Sequence, residues 1–508
     1  NGFNEDKSAP MAVPDAFAPH IRSCARLGTY KSPEGELADV LIVNTTEPWK
    51  LERTRTALRD FVAHKLKRGD SYKEAGLVAF VAPDARSWRF SFVRMEYESK
   101  RDPKTGKIAV EERLTPARRF SYIVGENESC HTAQSRFLDL LLDTETKPPL
   151  AKIEEAFSVE TVTDEFFRQY KELFLGLKDE LDKLAKQDPA IAEEFAEKKI
   201  KTEDFAKKLM GQIVFLYFLQ KKGWLGVPKG KGWGDGPHNF LRRLFDGKFG
   251  GHKNFFNDIL EPLFYDTLAT DRGHTAMCKI FNCRIPFLNG GLFEPLRDYD
   301  WQKTDIIIPN SLFSNTKTTK AGDIGTGILD VFDRYNFTVN EAEPLEKEVA
   351  IDPEMLGKVF ENLLGVKERK SKGSFYTPRE IVHYMCQESL INYLCTSVAT
   401  EATRFTSNSG IDQSRLTSAA ASDLIPRADI ETFIHSGDQA SYYEAARVEG
   451  TGYQRKLPKT IESHARLLDD KLADIAVCDP AIGSGAFPVG MMQEIVRARS
   501  TLTPYFND

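Results

Sequence analysis

No stretch of this 508-residue chain holds the run of about 18 apolar residues that a membrane-spanning helix requires. The opening residues, Asn1-Gly2-Phe3-Asn4-Glu5-Asp6-Lys7, lack the basic-then-apolar pattern of a secretory signal. They also lack an initiator Met, and a trimmed or partly disordered start is expected. The seven cysteines include no C-x-x-C pair, so neither a zinc site nor a disulfide framework is indicated. Cytosol is the expected compartment. There is no excess of positive charge: 69 Lys and Arg stand against 75 Asp and Glu, a net charge of −6. That balance argues against a chain that coats DNA nonspecifically. It leaves open local Lys/Arg patches, which set phosphate contacts.

What is present is the composition of an ordinary globular protein, 41% hydrophobic and 28% charged. At roughly 100–200 residues per domain, about three domains are expected. Residues 1–145 read as an α/β module, with strand-length apolar runs at Ala38–Val43 and Gly76–Val81 and a basic helix over Leu51–Leu66 between them. Arg89–Tyr97 is expected to pair with Ile108–Arg113 across a turn-rich segment. Residues 146–345 read as a mostly helical connector, with amphipathic stretches at Glu165–Leu184 and Phe205–Leu219. From residue 346 to 508 a third region carries the chain's two most specific motifs, separated by a polar helical insert over Thr396–Leu472. No internal repeat is apparent.

The first motif in importance is Asp479-Pro480-Ala481-Ile482-Gly483-Ser484-Gly485-Ala486-Phe487, preceded by the apolar run Ile475–Cys478. It reads as a buried parallel strand, a glycine-rich turn and a helix through Val489–Arg499. Gly483 and Gly485 permit φ > 0 and close approach of a ligand to the backbone. The N–H groups at a helix start suit a polar or anionic group, and open α/β sheets bind ligands at this end of a strand. A dinucleotide G-x-G-x-x-G fingerprint is excluded because Ala486-Phe487-Pro488 follows the glycines. A P-loop is excluded because no G-K-[ST] follows.

The second motif is Lys372-Gly373-Ser374-Phe375-Tyr376-Thr377-Pro378-Arg379-Glu380-Ile381-Val382. Thr377 fits an N-cap, Pro378 fits N1 and Glu380 fits N3 of a helix. Together the two segments resemble motif X and motif I of adenine-N6 DNA methyltransferases, in that family's order. The wider context resembles the type IIG restriction–modification enzymes and the related phage-exclusion (BREX) methyltransferases. Ile285–Phe293, Leu356–Leu364 and Phe215–Trp224 add to the resemblance, which extends from about Phe205 onward.

The resemblance implies a multidomain α/β fold ending in the start of a Rossmann-like class I methyltransferase domain. It implies S-adenosyl-L-methionine as cofactor, with Phe375, Tyr376, Thr377 and Pro378 lining its methionine end. Asp479, Ala481, Gly483, Ser484 and Gly485 would approach its amino-acid portion, and Phe487 would form part of the wall. It implies double-stranded DNA as substrate, a flipped adenine as target, and defence-system partner proteins. The Asn/Asp-Pro-Pro-Tyr/Phe loop that holds the adenine in this family does not occur here; Lys147-Pro148-Pro149-Leu150 lacks both amide and aromatic. The chain is therefore expected to be the N-terminal part of a longer enzyme, or only its ordered part, and to be inactive alone.

Two alternatives remain from the residues. One is a DNA-binding or scaffold fragment in which both motifs persist without transfer. The other is a metal-dependent nuclease: Asp84, Glu98 and Lys100 match a loose P-D…E-x-K pattern that could hold Mg²⁺, with Asp39 as an alternative carboxylate. A solvated hairpin explains the same residues. Basic candidates for phosphate contact are Lys65–Arg68, the glycine-rich loop with Lys229 and Lys231, Arg118-Arg119, and Lys367–Lys372. His131 and His383 stand without Cys or Asp companions and read as structural; Trp224 and Trp233 read as packing residues, with base stacking as the alternative.

Overall fold

The computed structural model describes residues 3–46, 55–66, 73–83, 87–95, 97–101, 108–112, 117–126, 128–143, 146–288, 291–338, 346–353, 377–408, 424–445, 457–482 and 485–506. The chain divides into two units. One comprises residues 1–7, 27–42 and 66–359, and the other residues 8–26, 43–65 and 360–508.

The first unit is built on a seven-stranded mixed sheet. In chain order its strands are β1 (Phe3–Met11), β2 (Ile21–Lys31), β3 (Leu37–Thr45), β4 (Ala75–Val81), β5 (Ser87–Arg94), β8 (Arg118–Gly125) and β11 (Glu346–Glu348), and they lie in that order across the sheet. β5 is antiparallel to both β4 and β8, and β11 is parallel to β8. The apolar runs at Ala38–Val43 and Gly76–Val81 are strands, as their alternation predicts.

The expected partner of β5 is corrected. Ile108–Glu112 (β7) pairs instead with Tyr97–Arg101 (β6), in a separate two-stranded ladder. β5 ends at Arg94 and is sandwiched between β4 and β8, and only the later segment β6 pairs with β7.

Period-two alternation gives the sheet two different faces. On one face Phe90, Phe92 and Tyr122 meet Phe137, from the helix His131–Leu142, and Phe157 in an aromatic cluster with ring centroids 5.1–5.9 Å apart. The Tyr122 hydroxyl donates to the Ala156 carbonyl at 2.6 Å. The other face of β5, β8 and β11 is polar yet buried. Ser91 and Ser121 are register partners with hydroxyls 2.8 Å apart, Arg89 pairs with Glu348 at 3.5 Å, and Arg119 lies 5.6 Å from the Phe80 ring. Arg119 is therefore core, not a phosphate contact.

Beyond the sheet, the long helices Val159–Gln187 and Thr202–Lys221 cover the amphipathic stretches seen in the sequence. Ser158 caps the first, its hydroxyl accepting from the Thr161 N–H at 3.2 Å. Two π-helical segments, Phe256–Leu260 and Pro262–Leu268, follow and flank the buried Glu261. Residues 269–288 and 291–327 are largely irregular apart from a two-stranded ladder of β9 (Met277–Cys278) and β10 (Cys283–Arg284), so this part is less helical than expected.

In the second unit Arg55–Leu66 is helical, with Phe61 packed edge-on to Phe17 at 5.3 Å. Four helices carry the motif region: Arg379–Asn408, Arg427–Ala445, Ala465–Ala473 and Ala486–Leu502, here α1 to α4. They share one apolar core, including Leu390, Leu394, Ile430, Phe433, Leu468 and Leu502. The polar insert thus contributes inward-facing residues to the same core as the motif helices.

Candidate cofactor site

Helix α1 begins where the second motif ends. The Val382 N–H donates to the Pro378 carbonyl at 3.1 Å, so Pro378 is the N-cap and Glu380 stands at N2. The helix starts one residue later than the capping-box spacing predicts. Pro378 has no N–H to lose, and its fixed φ suits an entry into helix.

Helix α4 begins where the first motif ends. Gly485 is its N-cap with φ +81°, a conformation that disfavours any side chain, and the Val489 N–H donates back to the Gly485 carbonyl at 3.1 Å. The helix geometry leaves the N–H groups of Ala486 and Phe487 without an intrahelical acceptor. Pro488 occupies the next position, where no N–H is needed.

Asp479 folds the turn ahead of this helix. Its Oδ1 accepts from the Ala481 N–H at 2.9 Å. Its Oδ2 is shielded from solvent and accepts no hydrogen bond among the described residues. Shielding a carboxylate oxygen without a donor is costly, at about 1–3 kcal/mol or more. An added donor, such as an ammonium or hydroxyl, would recover that cost.

The two motif helices cross at close range. A Cβ on Gly490 of α4 would lie 2.8 Å from Val382 Cγ1 of α1, so glycine sets the approach. The Cys386 thiol reaches the Phe487 carbonyl at 3.7 Å. At the crossing, Glu494 is 4% exposed and carries three partners. His383 Nδ1 lies 2.6 Å from Oε1, while Gln387 Nε2 and Arg497 Nη2 donate to Oε2 at 3.2 and 2.6 Å. His435 extends the network to Gln387 at 3.0 Å. A buried carboxylate needs such partners, and here they lock α1 onto α4. His383 therefore has an acidic companion, contrary to the sequence reading. So does His131, whose Nε2 lies 2.8 Å from Asp323 and holds that carboxyl below its ordinary range. Neither pair is visible at short spacing. The one sequence signal for the first is a glutamate four residues from both Gly490 and Ala498, on the buried stripe of its helix.

Of the residues expected at the cofactor, Thr377 and Pro378 lead into α1, and Asp479, Ala481, Gly485 and Phe487 precede or open α4. The contacts that join the helices involve Phe487, Cys386, Val382 and Gly490. Phe375, Tyr376, Gly483 and Ser484 lie outside the described residues. One expectation is corrected: Ile475–Cys478 is not a buried strand. It is unpaired among the described residues, with Ala476, Val477 and Cys478 exposed. An apolar run becomes a buried strand only when a neighbouring strand and a covering layer are present.

The nuclease candidates fall elsewhere. Glu98 and Lys100 are on β6, opposite Glu111 and Ala109 of β7, and Asp84 lies outside the described residues. Asp39 is already engaged, accepting from the Thr29 hydroxyl at 2.7 Å and pairing with Lys73. Among the described residues no group of three or more His, Cys, Asp or Glu side chains could hold a metal ion. Nor is any described helix long and apolar enough to cross a membrane.

No protein-family model matches the chain. No solved structure matches it either. Over 365 residues the chain is 25% identical to a Methanocaldococcus jannaschii protein named "Putative type II restriction enzyme and methyltransferase". The match covers 68% of this chain and 26% of that protein, so the chain spans about a quarter of the length of the curated relative it matches.

Proposed function

We propose that the chain forms the donor side of a restriction–modification DNA methyltransferase that acts on adenine N6 and uses S-adenosyl-L-methionine. The observation that carries this reading is the coupled pair of motif helices. Asp479, whose shielded Oδ2 has no partner among the described residues, stands just ahead of a helix start whose first N–H groups are free of intrahelical acceptors. The similarity to a protein named as a restriction enzyme and methyltransferase supports the same reading.

When bound, S-adenosyl-L-methionine supplies an electrophilic methyl group. The chain's residues would hold it in place. Asp479 Oδ2 would accept a hydrogen bond from its polar end, and the N–H groups of Ala486 and Phe487 would offer donors to its carboxylate. The Phe487 ring would supply apolar wall, and Thr377 and Pro378, together with Phe375 and Tyr376 from the resemblance, would line its methionine end. A Rossmann-like class I methyltransferase domain belongs to the same proposal. The sequence contains no Asn/Asp-Pro-Pro-Tyr/Phe loop, so its residues account for the donor and not for the grip on the adenine. The proposal does not extend to Mg²⁺-dependent cleavage at Asp84, Glu98 and Lys100, nor to defence-system partners.

Calorimetric titration of S-adenosyl-L-methionine into the chain tests this, with Asp479→Ala as comparison. Saturable binding that weakens at least tenfold in the variant is expected. Heat of binding unchanged by Asp479→Ala, or none in either protein, would refute the assignment and favour a scaffold role.

A further inference from the structure

A second surface, in the first unit, is built from residues that the cofactor site does not use. Helix Thr202–Lys221 runs into Lys222-Gly223-Trp224 and then a glycine-rich loop to Gly236. The loop is closed on itself: the N–H groups of Gly234 and Gly236 both donate to the Gly223 carbonyl, at 3.1 and 3.0 Å. A Cβ on Gly223, whose φ is +65°, would lie 2.2 Å from the Gly234 oxygen, so the neck admits only glycine. Leu225 and Val227 are fully buried and anchor the loop, and Val227 pairs with Arg284 through two backbone hydrogen bonds of 3.0 and 2.8 Å.

The tip has the opposite character. Lys222, Trp224, Lys229, Lys231 and Trp233 are all exposed, with Trp224 at 38% and Trp233 at 44%. The packing role read for the two tryptophans from sequence is thus corrected. Each ring has a cation at its face, Lys222 at 5.0 Å from Trp224 and Arg284 at 4.4 Å from Trp233. Arg284 is fixed in turn, donating to the Lys231 carbonyl at 2.6 Å and to the Thr275 carbonyl at 3.1 Å. The one acidic residue of the loop, Asp235, accepts from the Gly232 N–H at 2.9 Å.

A rigid neck, two exposed indoles and exposed cations beside them make a surface whose chemistry is specific. Cations meet phosphates, and aromatic faces meet bases that are not stacked on their neighbours. Duplex bases bury their faces in the stack and cannot use an indole. We propose that the loop Lys222–Gly236, with Arg284, binds a DNA strand whose bases are unpaired: phosphates against Lys229 and Lys231, a base against Trp233. The inference rests on the methyltransferase reading for its choice of DNA, since extruding a target base leaves unpaired nucleotides close by.

Fluorescence anisotropy with the full chain tests it, using a short labelled single strand and the corresponding duplex over a range of salt. Joint replacement Lys229→Ala and Lys231→Ala should lower the slope of log K against log salt for the single strand by about 1.4, two contacts at roughly 0.7 each. Trp233→Ala should weaken single-strand binding about tenfold, and Trp233→Phe should restore most of it. Single-strand affinity within twofold of the unaltered chain in both variants overturns the proposal. A loss seen only with duplex also overturns it, because stacking then plays no part. Melting curves of the variants exclude misfolding as the cause of any loss. Titration of S-adenosyl-L-methionine into the same proteins separates the two readings. Intact cofactor binding with unchanged DNA affinity refutes the surface alone. Absent cofactor binding with a strand loss refutes the methyl-transfer reading alone.

Discussion

Glu261 offers the most quantitative prediction. It is 1% exposed and lies between two π-helical segments, with the Tyr299 hydroxyl donating to Oε1 at 2.6 Å and Tyr265 3.1 Å beyond that. Its Oε2 has no partner among the described residues. Burial pushes the carboxyl from 4.5 up to about 8, against the opposing pull of the Tyr299 hydrogen bond. The folded protein therefore holds a proton here that the unfolded chain releases above about pH 4.5. Stability must fall as pH rises between about 4.5 and 8, and level off above that. Between about pH 5 and pH 8 the loss attributable to this group is about 3 kcal/mol.

Glu261→Gln keeps the shape and is neutral at every pH, so its difference from the unaltered chain isolates this one group from others that titrate, such as Asp333. Urea unfolding at several pH values is the assay. The variant should gain about 3 kcal/mol relative to the unaltered chain from pH 5 to pH 8. A relative gain below about 1 kcal/mol across that range would show that the group titrates near its ordinary value and refute the reasoning.

Three further outcomes follow from the motif helices and the thiols. Gly490→Val should destabilise the second unit by about 1–3 kcal/mol through overpacking against Val382, read by chemical unfolding; a neutral result would mean that the helices separate freely. His383→Ala removes one of three partners of the buried Glu494 and should cost about 1–3 kcal/mol, while Gln at the same position should recover part of it. Alkylation mapped by mass spectrometry should mark the exposed Cys130 and Cys478 quickly and spare Cys24, Cys278, Cys283 and Cys386, with burial pushing the Cys283 thiol up to about 12. If the cofactor binds beside Asp479, its addition should slow labelling at Cys478 and leave Cys130 unchanged.

What was legible in the sequence is what is local. Periodicity located β3, β4 and the long helices of the connector, because each records its own burial pattern. Turn chemistry located the helix that opens at Gly485, since a left-handed residue there is a property of the glycine itself. Pairing between distant segments was not legible. The place of β5 between β4 and β8 depends on register with a strand beyond a hairpin. The Glu494 network joins side chains 111 positions apart. The environment of Trp224 and Trp233 was also hidden, because a glycine-rich loop has no periodicity from which to tell an inward ring from an outward one. In the candidate site, the motif residues fixed two helix starts, but the glutamate that holds those helices together carried almost no local signature.

The segment Ile475–Cys478 carries a thermodynamic consequence of its own. It ends on Asp479, so any strand that comes to lie beside it fixes the backbone at the residue proposed to grip the cofactor. Ordering of that strand and occupancy of the site would then share one free-energy term. By reciprocity, whatever factor strand pairing adds to ligand affinity, the ligand adds to strand pairing. Ligand affinity at Asp479 would thus rise only with a strand that orders this backbone, and would stay at its base value without one.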